Sequence, residues 1–273
     1  MLPDQNHVSY SCYLLLLPII HTTMILTNKF DGSALVSDIV TKDYRTADVF
    51  RKHGINFCCG GKIPLDTICN AMGLDQKEIE KELKLAVQTI NISSFLAYHE
   101  WDIGFLTDFI VHVHHAYLKK ALPEIKDYLE RFVEGHRKKY PYLNELQVDF
   151  MSLKQELLPH LQEEEEIIFP YIKQISHAYL NQESYGGLLV RTLRKPVENI
   201  MNHENEMVNK MLKRLREHTD NYTLPENPCV NHKVTFSKLR ELDNDLVHHM
   251  HLENNILFPK AISMEKELLQ KHS

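Results

Sequence analysis

From residue 102 onward, apolar positions recur three and four apart in four long stretches, at about 102–134, 144–179, 186–219 and 231–267. Turn-forming residues separate them: Gly135 with Pro141, Asn181 to Gly187, and Thr223 to Pro228. No stretch carries the two-residue alternation of a strand. The pattern predicts an all-α chain ending in an antiparallel four-helix bundle over 101–273, with short connections. Residues 31–88 read as a small helical domain of their own. A helix opens at Ser37 and runs toward Phe50, a turn spans Lys52 to Gly61, and a short helix starts near Pro64. Asp75 caps a last helix from Gln76 to about Gln88. Residues 89–100 have weak periodicity and are expected to link the two parts.

Residues 1–30 look unlike the rest and are expected to be an unstructured extension or a mis-assigned gene start, with Met24 as the natural first residue. The apolar run Tyr13 to Ile20 is shorter than the roughly 20 residues of a membrane span. No Lys or Arg precedes it, so the basic flank of a signal peptide is missing.

Within the bundle one pattern occurs twice. His160 to Pro170 and His249 to Pro259 both read H-x3-E-x2-I-[IL]-F-P, offset by 249 − 160 = 89 residues. Positions i and i+4 share a helix face, so each copy aims an imidazole and a carboxylate at one point. Leu153, Leu157, Ile167 and Ile168 flank the first copy, and Leu242, Leu246 and Ile256 the second. A His and a Glu inside such an apolar stripe are buried, and buried charge must be paired or bound to metal. The remaining two helices carry His115 and His203, offset by 203 − 115 = 88, nearly the same period. The candidate ligands are therefore His115, His160, Glu164, His203, His249 and Glu253. Four imidazoles and two carboxylates without thiolate disfavour structural zinc and suit a pair of iron or manganese ions. Two Glu from facing helices can bridge two cations and leave vacant positions for NO, O2, peroxide or water.

Other histidines are set aside. His115 is preferred to His114 because Val111, Leu118 and Leu122 share its stripe; His249 is preferred to His248 because it alone has Glu at i+4. His112 and His251 are expected at the surface or behind the ligands, and His99, His136, His177, His218 and His232 at the surface. Glu163, Glu165 and Glu166 read as a solvated acidic face.

Composition narrows the partners. The chain has 273 residues, 43% apolar and 25% charged, with net charge −6. Nothing in that balance argues for nucleic acid or an anionic membrane. Five cysteines, including the adjacent pair Cys58-Cys59, read as free thiols in a reducing compartment. Cys58 and Cys59 sit in a turn with Gly60 and Gly61, near Arg51, Lys52 and Lys62, cations that favour the thiolate. They are the candidate reactive residues, able to pass iron or react with NO; Cys69 and Cys229 read as packing residues.

The repeated motif resembles that of the hemerythrin-like domains. Asn56-Phe57-Cys58-Cys59-Gly60-Gly61 resembles the short domain that precedes such a bundle in the RIC (repair of iron centres) di-iron proteins. The resemblance covers about residues 34–265. Oxygen-carrying hemerythrins have paired His one turn apart on helix 3, where this chain has Asn199 and Met207 around His203. The resemblance implies a non-heme di-iron centre held by the six residues named above, with Glu164 and Glu253 bridging. It also implies a cytoplasmic stress protein that helps restore iron–sulfur clusters damaged by nitric oxide or oxidants, by supplying iron. Apo or damaged iron–sulfur proteins are then its partners, NO or O2 its small ligands, and a homodimer a possible assembly. The competing readings are an NO-, O2- or peroxide-reactive di-iron enzyme, with NO reduction as a side activity, and an O2 or NO sensor or store.

Overall fold

The computed structural model describes residues 30, 32–57, 61–87, 96–192 and 197–271, without the side chains of 198–206 and 271. Nearly all of the N-terminal extension, Met24 included, lies outside the described residues, as do Cys58, Cys59 and most of the expected linker. The only β-type pairing among the described residues is one isolated bridge between Leu35 and Pro64. The fold is all-α.

The small N-terminal unit comprises α1 (Val36–Lys42), α2 (Thr46–Lys52), α3 (Leu65–Met72) and α4 (Gln76–Ala86). The single helix expected from Ser37 toward Phe50 is two. Asp43 is extended, its carboxylate accepts from the Arg45 amide and guanidinium, and Thr46 Oγ1 donates to its carbonyl at 2.6 Å. These local bonds compete with the helical ladder and break it. Asp75 caps α4 by accepting from the Lys77 amide at 2.9 Å. Gly73 ends α3 in the left-handed conformation, φ +66°, that glycine adopts without penalty.

Four rods follow. The first joins α5 (Ile103–Phe109) to α6 (Ala116–His136) through a π turn, Ile110–His115. Asp102 starts it by accepting from the amides of Gly104 and Phe105. The second joins α7 (Leu143–Glu163) to α8 (Phe169–Leu180) through a π turn at Glu164–Ile168. The third holds α9 (Gly186–Thr192) and α10 (Val197–His218). The fourth joins α11 (Val230–Leu252) to α12 (Phe258–Lys271) through a π turn at Glu253–Leu257. The first rod packs against the second and fourth, and the third against the second.

The bundle buries two apolar blocks, one around Leu118, Phe132, Phe150, Leu161 and Leu246, the other around Ile110, Ile168, Phe169, Leu257 and Phe258. The candidate ligands lie where the blocks meet. A third core fills the N-terminal unit and takes in Tyr128 of α6 and Val234 of α11. The unit therefore docks on the flank of the bundle. There the buried Lys238 ammonium lies 2.7 Å from Asp48 and 3.5 Å from Glu124, and the Tyr128 hydroxyl donates to Asp48 at 2.9 Å.

Of the histidines expected at the surface, His136 and His218 are only partly exposed and His232 is buried. His232 is 2% exposed, its ring wedged between Phe132 and Phe236, and burial pushes its pKa down to about 4. His218 is half-buried because its Nε2 lies 2.8 Å from the buried Asp149 carboxylate. Ile167, expected on the core side, is 57% exposed because the π turn rotates it outward.

Candidate metal centre

Each motif ends in Phe-Pro, and proline inside a helix lacks a donor and crowds the carbonyl four residues back. The chain meets this by widening one turn. The Phe169 amide donates to the Glu164 carbonyl and the Phe258 amide to that of Glu253, five residues back in each case. The helices pass their prolines without ending. The carboxylate of each motif is the first residue of its π turn, so the backbone irregularity sits at the ligand. The third π turn ends at His115. Phe169 lays its ring on the His115 imidazole, centroids 5.6 Å apart, and holds that ring in place.

The structure brings together His115, Glu164, His249 and Glu253, with one ligand-type atom from each within 4.8 Å of all the others. All four are buried. His160 stands beside them, its Nε2 at 3.1 Å from Glu164, with its side chain 15% exposed. His203 lies on α10, and its side chain falls outside the described residues. His114, the neighbour set aside, is buried too, but its Nδ1 lies 2.9 Å from Asp245.

The polar atoms converge on a shared space, where the Nε2 atoms of His115 and His249 lie 3.1 Å apart. His115 Nε2 lies 3.3 Å from Glu164 and His249 Nε2 lies 2.7 Å from Glu253. Yet both Glu164 oxygens and Glu253 Oε1 are buried without a hydrogen bond. Close approach without hydrogen-bond alignment means that lone pairs face a common point. Buried carboxylate oxygens with no donor cost several kcal/mol by rough estimate unless a cation answers them. The donor set, imidazole nitrogen and carboxylate oxygen, matches iron or manganese. The residues present fit a metal site.

Electrostatics separate the two carboxylates. Burial works against the Glu164 anion, but the imidazoles of His115 and His160 outweigh it and hold its pKa well below the usual carboxylate range. Burial pushes Glu253 well above that range, and the charge of Glu164 pushes it further. Burial also lowers the pKa of His249, against the pull of Glu164. Its imidazole stays neutral, as a ligand must.

Residues 107–261 match the family model described as the hemerythrin HHE cation binding domain, and residues 32–87 one described as a domain of unknown function, DUF542. Over 224 residues the chain is 31% identical to the "Iron-sulfur cluster repair protein YtfE" of Yersinia pestis (strain Pestoides F), covering 81% of this chain and 93% of that one. The protein of the same name from Yersinia pseudotuberculosis serotype O:1b (strain IP 31758) is likewise 31% identical over 224 residues, with the same coverage. The chain belongs to the RIC (repair of iron centres) family.

This RIC chain has two features at its centre that sequence reasoning missed. Glu165, read as part of a solvated acidic face, lies 2.8 Å from His115 Nδ1 and also accepts from Lys119 at 2.6 Å. An Nδ1–H donated to Glu165 leaves Nε2 of His115 to present its lone pair to the centre, where it lies 3.1 Å from His249 Nε2. The second is the His114–Asp245 pair, whose imidazole is buried and stacked on His249. Glu165 could have been found as the residue after the candidate ligand Glu164, facing the neighbouring rod. His114 and Asp245 left no signal, since neither lies in the repeated motif.

Proposed function

We propose that this chain is a di-iron protein that supplies iron to apo or damaged iron–sulfur proteins after nitric oxide or oxidants have broken their clusters. The observation that most supports this is the buried group His115, Glu164, His249 and Glu253, whose carboxylate oxygens lack protein donors. The names of the Yersinia relatives point the same way. His160 and His203 complete the ligand set in this reading, with Glu164 and Glu253 bridging. Iron bound there offers open positions to NO or O2 and is labile enough to leave. His160, at 15% exposure against 1% for His249, marks the side on which the centre meets solvent. Cys58 and Cys59 receive iron or react with NO in this proposal. The residue before them, Phe57, contacts Tyr128 at a ring separation of 6.2 Å. Tyr128 lies 128 − 115 = 13 residues beyond His115, about 20 Å along the rod.

No described helix is long and apolar enough to cross a membrane. Cys69 is a free, buried thiol. Both agree with the proposed place of work, the reducing cytoplasm.

The test is iron transfer. Iron per chain is measured, an apo iron–sulfur enzyme is added anaerobically, and recovered activity is followed against iron lost. Stoichiometric loss with recovery is expected, and changing both Cys58 and Cys59 to Ser should weaken it. Fewer than one metal per chain would overturn the proposal, and so would many turnovers of NO or peroxide consumption with iron retained.

A further inference from the structure

A line of aromatic rings leads away from the centre, starting at His249, and nothing in the proposed function needs it. His249 stacks on His114, centroids 5.9 Å apart at 22°. His114 meets the edge of His248 at 5.0 Å. His248 meets Tyr98 at 5.5 Å, and Tyr98 meets Trp101 at 4.7 Å, both edge-on. Trp101 is the one tryptophan of the chain. Beyond it lies Phe105 at 4.9 Å, whose ring is 56% exposed.

The line has anchors. His114 Nδ1 lies 2.9 Å from Asp245, and the Trp101 carbonyl accepts from the Lys260 ammonium at 2.8 Å. Asp102, next to Trp101, caps α5 and so fixes the turn that carries both oxidisable rings. Packing alone asks for apolar side chains here. Instead the line runs imidazole, imidazole, phenol, indole, and ends in the two side chains that most readily give up one electron.

We propose that Tyr98 and Trp101 are an electron source for the centre, joined to it through His248, His114 and His249, and drawn on when the centre meets hydrogen peroxide. The inference rests on the metal centre proposed above. Hydrogen peroxide takes two electrons and two protons to become two waters. Iron held by these residues would supply one electron. The second comes from Tyr98, whose phenolic O–H breaks to leave a neutral phenoxyl radical; that proton, relayed by water, and one from solvent are the two that peroxide takes up. Trp101 shares that oxidising equivalent through its edge contact. Ascorbate or a thiol in solvent then returns one electron and one proton. The path moves damage from the ligand imidazoles to two replaceable sites near the surface.

The experiment uses the full-length protein loaded with iron, with its iron content measured first. One equivalent of hydrogen peroxide is added, and samples are frozen within milliseconds for electron paramagnetic resonance. An organic radical signal is expected, narrowed when the protein is made with ring-deuterated tyrosine. The pair Tyr98→Phe with Trp101→Phe should lose most of the signal with iron content kept. His248→Leu, which breaks the line and leaves both ends, should do the same. Mass spectrometry should find oxidation at Tyr98 and Trp101 in the unaltered protein and at ligand histidines in the variants. An undiminished signal in both variants, or no narrowing with deuterated tyrosine, overturns the path and leaves the iron centre standing. Failure to bind iron at all overturns both.

Discussion

The two copies of the motif share ligand types, spacing and a π turn at the carboxylate, yet they occupy unlike surroundings. In the first, His160 is partly exposed and Glu164 sits between the imidazoles of His115 and His160. In the second, His249 and Glu253 are sealed from solvent. Glu164 is held as an anion against its burial, whereas burial and the neighbouring charge push Glu253 toward its protonated form. The repeated pattern sets the positions of the candidate ligands. The charges they carry follow from the neighbours that the other rods supply, and those are not duplicated. Metal-free protein is therefore asymmetric across a nearly symmetric site.

The largest expected effect treats the copies alike. Glu164→Ala and Glu253→Ala each remove a bridging carboxylate in the proposed centre. Each should weaken metal binding by more than about 100-fold, beyond the roughly 10–100-fold that loss of an outer partner brings. Competition against a chelator measures it. Metal retained in either variant would break the proposed equivalence of the two bridges.

Metal-free stability should separate the copies. Glu164→Leu strips His115 and His160 of their shared anion, and breaking a buried pair costs roughly 3–5 kcal/mol. Glu253→Leu removes a buried group whose ionisation is opposed, so it should cost little or stabilise. Urea unfolding of chelator-treated protein gives both values, and equal losses would erase the asymmetry.

A third measurement sharpens that one by removing background. His232 is a buried imidazole far from the centre, with a pKa pushed down to about 4 in the folded chain and near its ordinary 6.5 unfolded. Between those values the unfolded chain binds the proton and the folded chain does not, so stability falls as pH falls from 6.5 to 4. The full loss is about 3 kcal/mol. His232→Phe should flatten that slope, and acid unfolding of this variant then reports more cleanly on Glu164, whose contribution is lost at lower pH.

The rods were legible because a 3.6-residue period over long stretches leaves little choice of element. The ligand-type residues were legible because a repeat with a fixed i, i+4 step marks one face twice. What stayed hidden depends on contacts between rods. The break at Asp43 comes from one side chain bonding to Arg45, which periodicity does not weigh. His232 and His218 had no motif, and their burial follows from the rings and the Asp149 carboxylate supplied by other helices. The docking of the N-terminal unit depends on Lys238 and Tyr128, both unremarkable in sequence.

The smallest effect concerns the residue after each ligand carboxylate. Glu165 follows Glu164 and reaches across to His115 on the first rod, while Asn254 follows Glu253. Only the first copy thus places an anion behind an imidazole of the facing rod. Burial disfavours the Glu165 anion, but Lys119 and His115 outweigh it and hold its pKa low, so at neutral pH it accepts from Nδ1–H. That bond sets the tautomer and raises the basicity of Nε2. Glu165→Gln keeps the shape and an acceptor oxygen but removes the charge. Metal affinity should fall by about tenfold, the lower end of what an outer carboxylate contributes to a ligating histidine. Asn254→Ala on the other copy removes no charge, so affinity should fall less. Chelator competition on the two variants reads the difference. A matching fall in both would mean that the positions after the ligands act through the π turn they share, and that the charge behind His115 contributes nothing of its own.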